Sequence, residues 1–230
     1  MTEQHAALGD SYFNGIGTYR STSVIAKVAT AGIVLSCAVD AITTGIKWTQ
    51  YNTITDYLAG TAHEADLIAA DDLASTWTWP FLGIWLAAGI LFLIWWYQTY
   101  QNATWLAGAD SQRLSSGWAI GAWFCPIVNL WFPDQMVTDV WRASSPRRTA
   151  GTAMIHVWWV TYLVGNLLTF YASRVSTPAS REPAAYETIF HRVAVIDTVA
   201  TALTLTAGVL ITVIITQLTR WQNTPRDREA

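Results

Sequence analysis

Charge is what this sequence has least of. Only 13% of its 230 residues are Asp, Glu, Lys or Arg, about half the roughly 25% typical of soluble domains, so an ordinary water-facing surface cannot be built from it. The net charge of -3 offers no basic face of the kind nucleic acid requires, which excludes that partner. Cysteine is nearly absent. Cys37 and Cys125 both sit inside apolar runs, where a thiol packs as a small polarizable group and does not act as a ligand or a bridge. There is no Gly-rich phosphate loop, no nucleophile elbow and no paired-His motif, so no catalytic residue can be named and an enzyme is the weakest class. No Cys or His pair has the close spacing of a structural zinc site, and no metal is expected. The first 20 residues are polar and lack a short apolar core with a small-residue cleavage site, so no cleavable signal peptide is expected. The first apolar segment then serves as its own insertion signal. No repeat occurs at solenoid or inverted-half spacing, which removes one common pointer to a secondary transporter.

What the chain does have is apolar and aromatic. Hydrophobic residues make up 52%, with 14 Trp and 9 Tyr, and the mean hydropathy is +0.27. Amphipathic rings in such numbers suit the headgroup level of a bilayer. A spanning helix needs about 20 mostly apolar residues, and four segments meet that test: residues 24–46, 79–97, 152–171 and 193–217. Pro80 falls in the first turn of the second, where its missing N–H costs little. A fifth stretch, residues 117–132, is shorter, contains Pro126 and is closed by Pro133.

Lys and Arg stay preferentially on the cytoplasmic side, and they decide whether that stretch crosses. If it dips in and returns, Arg20, Lys27, Arg113, Arg142, Arg147, Arg148, Arg220, Arg226 and Arg228 are cytoplasmic, nine of the 13. If it crosses, the split becomes six against seven, so the re-entrant reading is preferred. The expected fold is therefore an all-α polytopic membrane helix bundle, with four transmembrane helices, a short re-entrant segment and an interfacial helix. Residues 1–20 form a polar tail, residues 21–220 a single transmembrane domain, and residues 221–230 a second tail, both tails cytoplasmic. Residues 133–142 read as the interfacial helix, with Met136, Val137, Val140 and Trp141 on one face. Residues 47–78 read as a long acidic outer loop with a brief helix around Asp66 to Leu73, and residues 173–192 as an irregular loop.

The run GWAIGAWFCPIVNLWFPDQMVTDVWRAS, residues 117–144, resembles the signature of a Trp-rich four-helix membrane domain that is widespread in actinobacteria and has no known function. Gly117-Trp118, Trp123-Phe124, Pro126, Asn129, Pro133 and the run Trp141, Arg142, Ala143, Ser144 carry the match, as do Trp95, Trp96, Tyr97 and Asn102 earlier in the chain. The resemblance covers roughly residues 24–217. It implies a multi-pass protein of the bacterial plasma membrane with the family's fold, and no activity. Asp134 and Gln135 follow Pro133, where the family favours more hydrophobic or basic residues.

Asp40 is the most informative single residue, because a carboxylate inside a spanning helix costs at least about 2.5 kcal/mol and needs a partner or a wet cavity. Gly32, Ser36, Asp40 and Thr44 recur every four residues and put small and polar groups on one stripe. Asp197 lies at matching depth in the last span, with Thr201, Thr204, Gly208 and Thr212 on its face. One reading has Asp40 and Asp197, with His191 and Lys47 nearby, lining a cation or proton site. The other has each carboxylate paired with a basic group or hydroxyl and locking helix packing. His156 and His191 fall near opposite membrane faces and cannot share a ligand. Pro126, Asn129 and Pro133 define the re-entrant motif, in which Asn129 can bond the backbone groups that a broken helix leaves free. Trp95, Trp96, Trp118, Trp141, Trp158 and Trp159 read as interfacial anchors, the clusters Trp95-Trp96 and Trp158-Trp159 as anchors and core in preference to a quinone or lipid site. These features suggest a non-enzymatic membrane module that works by partner binding, as an accessory subunit or scaffold, with membrane lipids and other membrane subunits or further copies of itself as partners. The alternative is a small ion or proton channel or transporter. No cofactor is expected, though bound lipid fits either reading.

Overall fold

A computed structural model describes residues 19–146, 151–175 and 183–224. All regular structure among them is helical. In chain order it comprises α1 (Ser23–Leu58), α2 (Glu64–Ala107), a single 3₁₀ turn (Ala109–Ser111), α3 (Trp118–Gly121), a second 3₁₀ turn (Val128–Leu130), α4 (Phe132–Ser144), α5 (Ala153–Val175) and α6 (Pro183–Asn223). Four of these, α1, α2, α5 and α6, are long and apolar enough to cross a membrane. The four spans expected from the sequence fall within them. Between residues 117 and 132 the longest helix is the four-residue α3, about 6 Å at 1.5 Å per residue, against roughly 30 Å of hydrocarbon. That stretch is no fifth spanning helix.

Three helices run well past the apolar segments. At 1.5 Å per residue, the 44 residues of α2 reach about 66 Å. The acidic loop expected over residues 47–78 is accordingly mostly helix, because a hydropathy window finds the apolar stretch and not its polar continuation. The real turn is short. Gly60 adopts φ +76°, Gly60 N donates to Tyr57 O at 3.0 Å, and Thr61 N donates to Asp56 O at 2.9 Å; together these close α1 with a Schellman cap, which favours glycine at this position. Asp66 then reaches back to accept from His63 N at 2.8 Å, half of a capping box that starts α2. Pro80 consequently lies inside α2 and not in a first turn, so the carbonyl of Thr76 loses its helical donor. Likewise α6 begins at Pro183, so the second half of the loop expected over residues 173–192 is helical. The part holding Pro178 lies outside the described residues.

Ordered structure extends past both bounds, 21 and 220, expected for the helical domain. Tyr19 donates to Gln222 O at 3.0 Å and to Asn223 Oδ1 at 2.6 Å, and Gln222 is buried in the last turn of α6. Residues 1–18 and 225–230 lie outside the described residues.

The chain forms two compact units. The first comprises Met1–Thr30, Ile90–His156 and Thr212–Ala230, and the second Ala31–Gly89 and Val157–Ile211. The first has a core of large side chains, among them Trp95, Trp96, Met136, Ile155, Ile214 and Leu218. The second buries many small ones, including Ala88, Ala172, Ala194, Ala200 and Ala207, beside Trp158 and Trp159. Gly165 and Gly208 explain how its helices approach. A Cβ on Gly165 would stand 3.1 Å from Thr204 Oγ1, and one on Gly208 would stand 2.5 Å from Cys37 Sγ. Small residues at helix contacts are the usual device where lipid supplies no hydrophobic drive between helices.

Candidate functional site

In the second unit, α1 and α6 run antiparallel in a register fixed by polar side chains. Thr44 and Thr201 share a hydrogen bond of 2.7 Å, Lys47 Nζ pairs with Asp197 Oδ2, and Trp48 Nε1 donates to Thr198 Oγ1 at 2.9 Å. Cys37 opposite Gly208 continues the same register deeper along the two helices. Asp197 is thus a paired carboxylate, its side chain only 4% exposed. Such a pair fixes register because a bare charge in its place is costly. Asp40 differs. It is half-buried and near enough to Lys47 and Asp197 for their charges to interact, yet no hydrogen bond or ion pair reaches its carboxylate among the described residues. His191 stands with aromatic rings and not with the carboxylates, 5.0 Å from Tyr51 and 6.1 Å from Trp48 between ring centroids. The structure therefore brings Asp40, Lys47 and Asp197 together and places His191 in an adjoining aromatic group.

In the first unit the signature run folds into a broken segment whose freed backbone groups are taken up by side chains. Trp123 N donates to Ile120 O, which releases the carbonyl of Ala119 from the usual helical bond. Trp96 Nε1 and Trp123 Nε1 both donate to that carbonyl, at 2.9 and 3.1 Å. Pro126 has no N–H to give, and Asn129 Nδ2 donates to Trp123 O at 3.2 Å. Asn129 thus supplies a hydrogen bond to the broken backbone as the sequence suggests, while its Oδ1 is buried with no hydrogen-bond partner among the described residues. Pro133 lies in the first turn of α4.

Most of the tryptophans read as anchors are core instead. Trp95 and Trp96 are fully buried, Trp158 and Trp159 nearly so, and Trp141 is 6% exposed; of the six, only Trp118 reaches the surface. At Trp95 and Trp96 the buried indole N–H finds a partner, Trp95 donating to Thr219 Oγ1 at 3.2 Å and Trp96 to Ala119 O, so neither needs a headgroup; Trp141 Nε1 is buried with no hydrogen-bond partner among the described residues. The interfacial helix expected over residues 133–142 forms as α4. Met136, Val137 and Val140 of α4 are at most 1% exposed, so its apolar face packs on protein.

Two polar groupings here were not foreseen. Asp139 on α4 accepts from Arg113 Nε at 2.9 and 3.0 Å and pairs with an Arg113 terminal nitrogen at 2.9 Å. Hydrogen bonding to Asp139 lifts the Arg113 guanidinium above its ordinary value, so it stays charged. Asn102 clasps the backbone of Arg20, donating to its carbonyl at 2.7 Å and accepting from its N–H at 3.1 Å. Gln222 Nε2 donates to Thr99 O and to Ser144 Oγ, both at 2.9 Å. Only the resemblance drew attention to Asn102, and no local motif marks Asp139 or Gln222. Asp134 and His156 meet at 2.8 Å on the surface.

Around this buried frame the broken segment exposes large apolar side chains: Phe124 is 71% exposed, Ile127 69%, Leu130 49% and Trp131 44%. No cluster of three or more His, Cys, Asp or Glu able to hold a metal occurs among the described residues.

A family model described as "Domain of unknown function (DUF4328)" matches residues 59–220. No curated protein and no solved structure matches the chain.

Proposed function

The chain belongs to the DUF4328 family of domains of unknown function, and on that premise we propose that it is a non-enzymatic membrane module that works by binding another membrane protein subunit. The observation that carries this reading is the apolar surface of the broken segment. Irregular backbone at membrane depth is tolerated only where protein covers it or water reaches it. Here the side chains projecting from that backbone, Phe124, Ile127, Leu130 and Trp131, are apolar and open, which suits a protein cover and does not suit water. The buried frame beneath, Trp96 and Trp123 on Ala119 O, holds the segment in one conformation and lowers the ordering cost of docking. The Lys and Arg distribution supports an orientation with both termini and the broken segment on the cytoplasmic side, and the resemblance implies the bacterial plasma membrane.

A photo-crosslinking residue in place of Phe124 or Ile127, activated in intact membranes, tests the proposal. Adducts with a defined second polypeptide are expected. Adducts with lipid alone at both positions would overturn it.

A second reading, a small channel or transporter, is favoured by Asp40, a half-buried intramembrane carboxylate with no hydrogen bond or ion pair among the described residues. It requires that Asp40→Asn abolish cation flux in liposomes while the protein stays folded, and unchanged flux removes it.

A further inference from the structure

Beyond the aromatic group around His191, the second unit contains a cavity of about 290 Å³, close to the lower end of the roughly 300–1,000 Å³ that small-molecule sites occupy. It lies outside the apolar spans, on the polar continuations of three helices. Each helix contributes one face: Gln50 and Ile54 with Tyr57 from α1, Asp71 and aliphatic neighbours from α2, and Tyr186 and Phe190 from α6. The spacings of three and four residues are those that bring side chains to one side of a helix.

We infer that this cavity is a binding site for an organic ammonium ion with an apolar body. Three aromatic side chains, Tyr57, Tyr186 and Phe190, line it, and ring faces attract a cation whose alkyl groups they also cover. The one formal charge in the lining is the Asp71 carboxylate, and no Lys or Arg lines it among the described residues. Gln50 Nε2 donates to Asp71 Oδ1 at 2.9 Å, which orients the carboxylate and leaves Oδ2 for a ligand. An anion would meet Asp71 without a counter-charge, and a neutral apolar molecule would leave the carboxylate unused. Asp56, Glu64, Asp66 and Asp72 on the same stretch of chain add a negative field that draws cations toward the cavity.

The ligand chemistry is shared by free solutes and by lipids with a quaternary ammonium headgroup. The full chain in uncharged maltoside micelles should bind benzyltrimethylammonium saturably by calorimetry, with benzenesulfonate, an anion of similar size, showing no saturable binding. Asp71→Asn, which keeps an acceptor for Gln50, should weaken binding roughly tenfold or more, and Asp71→Glu should restore most of it. Tyr186→Leu should weaken it by a smaller factor and leave the unfolding transition in place. Competition by a choline-headgroup lipid but not by free choline assigns the site to a lipid, and competition by both assigns it to a solute; either agrees with the inference. Binding that is unsaturable, equal for benzenesulfonate, or unchanged in folded Asp71→Asn overturns it.

Discussion

Replacing Arg113 with Met should destabilise the protein more than neutralising the carboxylate it serves, and the second change should partly repair the first. The Asp139 side chain is 10% exposed, and apart from the guanidinium its hydrogen-bond partner among the described residues is the backbone N–H of Arg113 at 3.3 Å. Arg113→Met leaves that carboxylate buried and nearly bare, a change that costs about 3–5 kcal/mol. The converse is milder, because the Arg113 side chain is 55% exposed and can take up water in place of Asp139. Asp139→Asn should cost about 1 kcal/mol, the scale of one ordinary hydrogen bond. In Arg113→Met/Asp139→Asn no buried charge is left, so the double variant should be more stable than Arg113→Met alone. Unfolding by SDS in mixed micelles, followed through the fluorescence of the 14 tryptophans, measures all four proteins on one scale. Equal losses for the two single variants, or a double variant whose loss is their simple sum, would refute the assignment of Asp139 as a buried partner.

Gly208→Ala should cost about 1–3 kcal/mol through overpacking against Cys37, and Cys37→Ala in the same chain should recover most of it; an unaffected midpoint in the SDS titration would contradict the close approach. Asn102→Ala removes both bonds to the Arg20 backbone and should cost about 2–3 kcal/mol, visible in the same titration and as earlier proteolysis near residue 20. In a chain without Cys37 and Cys125, Asp110→Cys should label only from the cytoplasmic side and Thr61→Cys only from the outside. Labelling of both from one side would overturn the proposed orientation.

The four spanning helices were legible because lipid imposes a long apolar signal that composition alone carries. The interruption at Pro126 was legible too, since proline and a short apolar length both argue against a crossing. Helix ends were not: α1, α2 and α6 continue through polar residues whose helicity is set by Gly60, by Asp66 and by packing, none of which changes hydropathy. Asp197 could be noticed as a charge in an apolar run, and its partner Lys47 lay close in expected depth. Whether Trp95 and Trp96 anchor or pack is not legible, because an indole serves equally at a headgroup or in a core, and only their partners, Thr219 Oγ1 for Trp95 and Ala119 O for Trp96, decide between the two. Asp139 and Gln222 gave no signal, since their partners Arg113, Thr99 and Ser144 lie far away in sequence. The cavity lined by Tyr57, Asp71 and Tyr186 was hidden for the same reason, with its walls spread over three helices.

The central claim is that the exposed broken segment docks on another membrane subunit. Native mass spectrometry of the protein gently extracted from its own membranes tests this most directly, with a Phe124→Ser/Ile127→Ser variant prepared in parallel. The account predicts a heteromeric assembly of fixed stoichiometry that the paired substitution dissociates while the chain stays folded. A lone chain, or an assembly indifferent to both substitutions, would contradict it.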